Sequence, residues 1–229
     1  MLRELSELRE QLLRLGEKTC SSKIDVMLKE VFAAQRCTNK NGWRCLEGFD
    51  YISWHGSGKT VVFGDSQVGG ALGLQFKGIR YLSNSSTVPN WISWFGAGFG
   101  DHLKDAQNIY ILLGGNGYGE EGVTMSSHAK ELLKMVERSN ASANIVWITP
   151  APPAQGYGSE RIMDRQKSSQ NISEALSNSD DRVRVVDSHS VVTEHYNGDS
   201  WKCPSGHCDG IHLKGDVAKV LADRAKSQP

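Results

Sequence analysis

From Thr60 onward, short apolar runs alternate with amphipathic segments, and this alternation predicts an α/β protein. The expected architecture is a three-layer α/β/α sandwich around a mostly parallel sheet, preceded by an N-terminal helical segment. Two observations carry the expectation. The runs have the length of strands, and they are continuously apolar, as strands covered on both faces are. The segments between them repeat their apolar residues at helical spacing.

The chain begins with Leu5, Leu8, Leu12 and Leu15 at spacings of three and four, set among Glu and Arg residues that can pair along a helix. This amphipathic helix, residues 1–18, covers about two heptads, too few for an independent coiled coil. It either packs on its own domain, the favoured reading, or is the end of an oligomerising stalk that would make a homo-oligomer. A second helical pattern runs from Ile24 to Ala34, followed by a polar, Gly-rich stretch from Arg36 to Lys59. That stretch reads as a connector with a loop that a disulfide could close. The division expected is therefore a helical region and connector over residues 1–58 and an α/β domain over 59–229.

Within the domain, strands are expected at Thr60 to Phe63, Ile79 to Leu82, Ile109 to Leu113, Ile145 to Thr149 and Val183 to Val186. Helices are expected around Trp91 to Leu103, Val123 to Arg138, Glu160 to Leu176 and Gly215 to Lys226. In such sheets ligands sit beyond the carboxyl ends of the strands, so the residues following each apolar run are the ones to inspect.

Composition narrows the function classes. With 26 basic and 26 acidic residues the formal charge is zero, and no basic footprint for nucleic acid is present. No stretch approaches the roughly 20 apolar residues of a spanning helix, and the charged N-terminus does not resemble a signal peptide. The expectation is a soluble chain without a membrane span, its compartment open. Cys37 and Cys45 form one close pair, Cys203 and Cys208 another, and Cys20 stands alone. Two short disulfides would suit an extracellular or otherwise oxidising compartment; zinc is disfavoured because neither pair has CxxC spacing. Sequons stand at Asn84, Asn140 and Asn171.

Three strand ends carry residues with chemistry. The first run leads into Gly64-Asp65-Ser66, the third into Gly114-Gly115-Asn116, and Asp209-Gly210-Ile211-His212 precedes the last helix. Each alone is an ordinary turn. In this order, on one sheet edge, they resemble the blocks of the SGNH, or GDSL-type, hydrolases over residues 60 to 226. The resemblance implies a flavodoxin-like sheet and hydrolysis of carboxylic esters without a cofactor or metal. It implies Ser66 as nucleophile, His212 as base and Asp209 as the group that orients the imidazole. The oxyanion hole would comprise the Ser66 N–H, the Asn116 amide and a further backbone donor.

For that further donor the family has a glycine after the second strand, where this chain has Ser83-Asn84-Ser85-Ser86. Ser86 or Ser85 is the replacement expected, with Gly96, Gly98 and Gly100 as alternatives should the second strand lie elsewhere. Gly56-Ser57-Gly58-Lys59-Thr60 looks like the tail of a phosphate-binding loop, but Ser53 stands where the motif needs its first glycine, and a strand follows where it needs a helix. Cys203, His207, Cys208 and Asp209 could ligate a metal, in conflict with the triad role of Asp209.

Trp91, Trp94, Phe95 and Phe99 fit one face of a core helix better than an acyl or sugar pocket. Tyr118, Tyr157 and Trp201 are loop aromatics that could touch a carbohydrate. The substrate expected is a small ester, such as an acetyl group on a carbohydrate. An acyltransferase with the same triad, and a silent binding or assembly module on this fold, are the alternatives.

Overall fold

The computed structural model describes residues 36–39, 41–116, 122–151, 159–195, 212–213 and 215–227. The helical patterns at 1–18 and 24–34 lie outside the described residues, as do Cys20, Cys203, His207, Cys208, Asp209, Tyr118, Tyr157 and Trp201.

Among the described residues seven strands form one sheet: β1 (Arg44–Leu46), β2 (Phe49–His55), β3 (Thr60–Gly64), β4 (Ile79–Leu82), β5 (Asn108–Leu112), β6 (Asn144–Ile148) and β7 (Val183–Val186). The helices are α1 (Ala71–Leu74), α2 (Val88–Gly96), α3 (Gly122–Ser139), α4 (Ser159–Leu176), α5 (Ser188–His195) and α6 (Gly215–Lys226). Spatial order is β1-β2-β4-β3-β5-β6-β7. From β4 to β7 all pairs are parallel, in the flavodoxin-like order. The register aligns the carboxyl ends: Gly64 pairs with Leu82 on one side and Leu112 on the other, and Leu112 with Ile148.

The three layers follow from the two-residue period of a strand. Val61, Phe63, Ile109, Ile111, Ile145 and Trp147 share a core with Trp91 and Phe95 of α2, Leu132 and Val136 of α3, and Ile172 of α4. Their neighbours Val62, Tyr110, Leu112, Val146 and Ile148 pack with Leu72 of α1, Val192 of α5, and Leu221 and Ala222 of α6. Residues that read as uninterrupted apolar runs are therefore buried on both faces. Among the described residues no helix is long and apolar enough to cross a membrane.

Three features differ from the reading of the sequence. The stretch expected as a connector contributes the hairpin β1–β2, which joins the sheet through antiparallel pairing of β2 with β4, Ser53 opposite Leu82. Phe49, Tyr51 and Trp54 pack onto the core, so the hairpin has an apolar reason to dock. Cys37 and Cys45 do form a disulfide, with Cα atoms 5.6 Å apart. The helix expected over Trp91 to Leu103 breaks at Gly96–Gly98 into α2 and a 3-10 turn, Phe99–Leu103; α2 starts in a capping box between Thr87 and Asn90. Trp91, Trp94, Phe95 and Phe99 are all core residues. Finally, α5 stands where no helix was expected, begun by Asp187, whose Oδ1 accepts from the His189 and Ser190 N–H groups.

The sequon residue Asn140 is buried, its amide donating to the carbonyls of Leu103 and Ala106; this side chain is a structural clasp and is not accessible for glycosylation. The phosphate-loop resemblance ends where expected: Lys59 leads directly into β3.

Candidate active site

β3 ends at Gly64, where the chain must turn sharply between two neighbours. Its φ is +153°, and a Cβ there would stand 2.0 Å from the Leu112 carbonyl oxygen, so only glycine fits. The turn is fastened on both sides: Asp65 N–H donates to Leu112 O at 3.1 Å, and Ser83 N–H to Gly64 O at 3.0 Å. Asp65 then caps the 3-10 turn Ser66–Val68, its Oδ1 accepting from Gln67 N–H at 3.0 Å. This places Ser66, half-buried, at the first position of the turn, at the carboxyl edge of the sheet.

The next strand brings the amide. After β5, the chain passes through Gly114, at φ +110° and with a Cβ position only 2.6 Å from Ile172 Cδ1. The loop is held by Trp147 Nε1 donating to Leu113 O at 3.2 Å and Ser168 Oγ donating to Gly114 O at 2.7 Å. Asn116 Nδ2 in turn donates to Asp65 Oδ2 at 3.3 Å and to Ser86 O at 3.1 Å. One side chain thus ties the β3, β4 and β5 ends together.

Ser86 follows β4, as expected once Ile79–Leu82 is confirmed as the second parallel strand; Gly96, Gly98 and Gly100 lie elsewhere, around the end of α2. Ser85 takes the left-handed conformation, φ +58°, which turns the chain back. Ser86 is fully buried. Its Oγ donates to Ser83 O at 2.8 Å and accepts from Trp91 Nε1 at 2.9 Å. The Ser86 side chain is therefore satisfied in the core, while its N–H reaches Ser83 O at the longer distance of 3.3 Å.

His212 arrives from the C-terminal side. Its Cδ2 lies 3.8 Å from the Cβ position of Gly70, beside the end of the Ser66 turn, and its charge acts on Asp65. Ser66, Asn116, Ser86 and His212 are thus gathered at one sheet edge; Asp209 is outside the described residues.

Two residues of this neighbourhood were given no role from the sequence, Asp65 being read only as part of the Gly64-Asp65-Ser66 turn. Asp65 is buried, and burial pushes its carboxyl up to about 6, against the opposing pull of the Gln67 N–H and the charges of Arg165 and His212. Arg165, also buried, reaches in from α4, with its Nη2 3.2 Å from the Cβ position of Gly115 and its Nη1 donating to Ala151 O at 3.4 Å. Asp65, Arg165, Thr149, Ala151 and Leu213 border a cavity of about 20 Å³, the room of a single water. Among the described residues no group of three His, Cys, Asp or Glu side chains could hold a metal ion.

The chain shares its fold with solved hydrolases and esterases, one of them a G-D-S-L family protein. A member of the lipolytic protein G-D-S-L family from Veillonella parvula superposes with a TM-score of 0.50 at 14% identity, over 73% of this chain and 96% of its own. LAE5, an alpha/beta hydrolase enzyme from the metagenome of Lake Arreo, Spain, gives 0.55 at 13% identity, covering 73% of this chain and 93% of its own. Est24, a carbohydrate acetylesterase from Sinorhizobium meliloti, gives 0.52 at 15% identity, covering 74% and 98%. At these identities the likeness is one of fold. No family model and no curated protein matches the sequence.

Proposed function

We propose that the chain is a serine esterase that cleaves a small acyl group, such as acetyl, from a carbohydrate or similar alcohol through an acyl-Ser66 intermediate. The observation that carries this reading is the convergence of Ser66, Asn116 and His212 on one sheet edge, with His212 against the end of the nucleophile turn. In this reading Ser66 Oγ attacks the ester carbonyl as the His212 imidazole takes its proton, and Asp209 orients the ring. Negative charge on the carbonyl oxygen is met by the Ser66 N–H, the Asn116 amide and the Ser86 N–H. The imidazolium returns the proton to the departing alkoxide. Water, deprotonated by the same imidazole, then releases the acid and regenerates Ser66. No cofactor is required by these steps.

The small acyl group is favoured because the aromatic cluster Trp91, Trp94, Phe95 and Phe99, which could have lined an acyl tunnel, is consumed by the core. The test is hydrolysis of para-nitrophenyl acetate by the full chain and by Ser66→Ala, with a fluorophosphonate probe to locate the adduct. Loss of both turnover and adduct in the variant is expected. A folded wild type that neither turns over nor labels overturns the reading in favour of a binding module.

A further inference from the structure

Beside the nucleophile turn, on the β4 side, the hairpin β1–β2 and the loop after β4 enclose a groove of about 150 Å³. Arg36, Asn41, Trp43, Tyr51, Leu82 and Asn84 are among its walls. We infer that this groove holds the sugar ring of the ester's alcohol part, so that the hairpin serves as the glycan subsite of the enzyme. The inference rests on the esterase reading above and gives it a substrate class: O-acetylated oligosaccharides.

Three observations support it. The first is position. Leu82 pairs with Gly64, the residue that leads into Asp65-Ser66. Its Cδ2 lies 3.0 Å from the Cβ position of Gly69, so this groove wall touches the nucleophile turn itself. Asn84 stands two residues before Ser86, whose carbonyl holds Asn116. Adjacent strands are about 4.8 Å apart, so Leu82, on the strand next to β3, is a wall that the groove shares with the Ser66 turn.

The second is chemistry. Trp43 and Tyr51 offer apolar ring surface for the C–H face of a sugar. Asn41 and Asn84, both exposed, each offer a paired donor and acceptor, which is what adjacent hydroxyls require. A long acyl chain would need an apolar trough, which these amides interrupt. The volume, several times that of the single-water cavity beside Asp65, suits one ring.

The third is rigidity. Trp43 is held by Arg80, whose guanidinium carbon lies 5.3 Å from the ring centre, and by His55, ring to ring at 5.7 Å. Tyr51 stacks on Trp94 at 18° between planes. The Cys37–Cys45 disulfide closes the segment that carries Asn41 and Trp43. Contact surfaces fixed before binding lose little entropy on binding.

The test is titration of the full chain carrying Ser66→Ala with an O-acetylated xylo-oligosaccharide, in the background and with Asn84→Ala or Trp43→Ala added. Binding by the background protein is expected, with affinity at least about tenfold weaker in each variant and the melting temperature unchanged in Asn84→Ala. Asn84 is exposed, so its variant decides alone should Trp43→Ala fail to fold. Absence of binding, or affinity indifferent to Asn84→Ala, overturns the subsite. Turnover of para-nitrophenyl acetate by the wild type separates the two readings. Cleavage without glycan affinity removes the subsite and leaves the esterase; glycan affinity through Asn84 without cleavage keeps the subsite and removes the esterase.

Discussion

Asn116 and Asp65 meet across the ends of β5 and β3, Nδ2 donating to Oδ2 at 3.3 Å, while the same nitrogen donates to Ser86 O at 3.1 Å. The amide is thereby fixed in one orientation beside the Ser66 turn; in the proposed esterase mechanism, an oxyanion forming there would compete for a proton that Asp65 now receives.

Asn116→Ala is expected to act twice. In the proposed mechanism Asn116 is an oxyanion donor, whose loss lowers kcat by about 10²- to 10³-fold. As a partner of buried groups its loss costs about 1–3 kcal/mol of stability. Steady-state kinetics on para-nitrophenyl acetate and urea unfolding read these separately; an unchanged kcat in a destabilised variant would leave Asn116 a structural tie only.

The Ser86 hydroxyl joins Trp91 Nε1 to Ser83 O inside the core. Ser86→Ala leaves the indole N–H of a fully buried tryptophan without that partner and is expected to cost about 1–3 kcal/mol. In a Trp91→Phe background, where the N–H is already gone, the same change should cost less, giving a coupling of about 1 kcal/mol. Additive losses in denaturant melts would show that the hydrogen bond contributes nothing net.

The legible parts of the fold are those whose environment leaves a one-dimensional trace. β3, β5 and β6 are buried on both faces, so Thr60 to Phe63, Ile109 to Leu113 and Ile145 to Thr149 read as apolar runs, each placed within a residue of its true end. Ser66, Asn116 and His212 each stand at a turn beside a strand or helix that the sequence shows, but such turns are ordinary by themselves, and only their order singled them out. The hairpin was obscured because Asn41-Gly42 and Glu47-Gly48 dominate a segment in which β1 is only three residues long. Arg165 left no trace at all: α4 carries a weak apolar stripe, and nothing local to Arg165 says that it faces inward toward Asp65. Burial of a charge is decided by a partner on another element, which a single helix pattern does not contain.

That buried charge has a pH signature. Burial raises the Asp65 carboxyl from 3.8 to about 6, the Gln67 N–H, Arg165 and His212 only partly offsetting it. Between these values the folded chain keeps a proton that the unfolded chain has released. The contribution of Asp65 to stability is therefore fully present below about pH 4 and is lost as pH rises through about 6. The difference corresponds to about 3 kcal/mol. Asp187 acts in the opposite sense. Burial raises its carboxyl, but hydrogen bonds from the Ser190 and Ser169 side chains and from backbone N–H groups hold it below its ordinary value, so its share is lost on acidification. Urea unfolding of wild type and Asp65→Asn at pH 4.5 and 7.5 isolates the first effect. Wild type should lose stability relative to the variant as pH rises, and a difference independent of pH would mean that Asp65 is ionised throughout.

The Cys37–Cys45 bond is the remaining element with a measurable consequence. β1 is three residues long, and its register with β2 shifts between Cys45 and Leu46, so the ladder alone holds this edge weakly. Closing so short a loop restricts the unfolded chain by about 2.5 kcal/mol in the chain-entropy account. Replacing both cysteines by serine is expected to lower the melting temperature and to speed amide exchange over β1 and its turn, while β3, β5 and β6, buried in the sheet centre, keep their protection. Exchange unchanged at the hairpin would mean that Phe49, Tyr51 and Trp54, packed on the core, suffice to hold it.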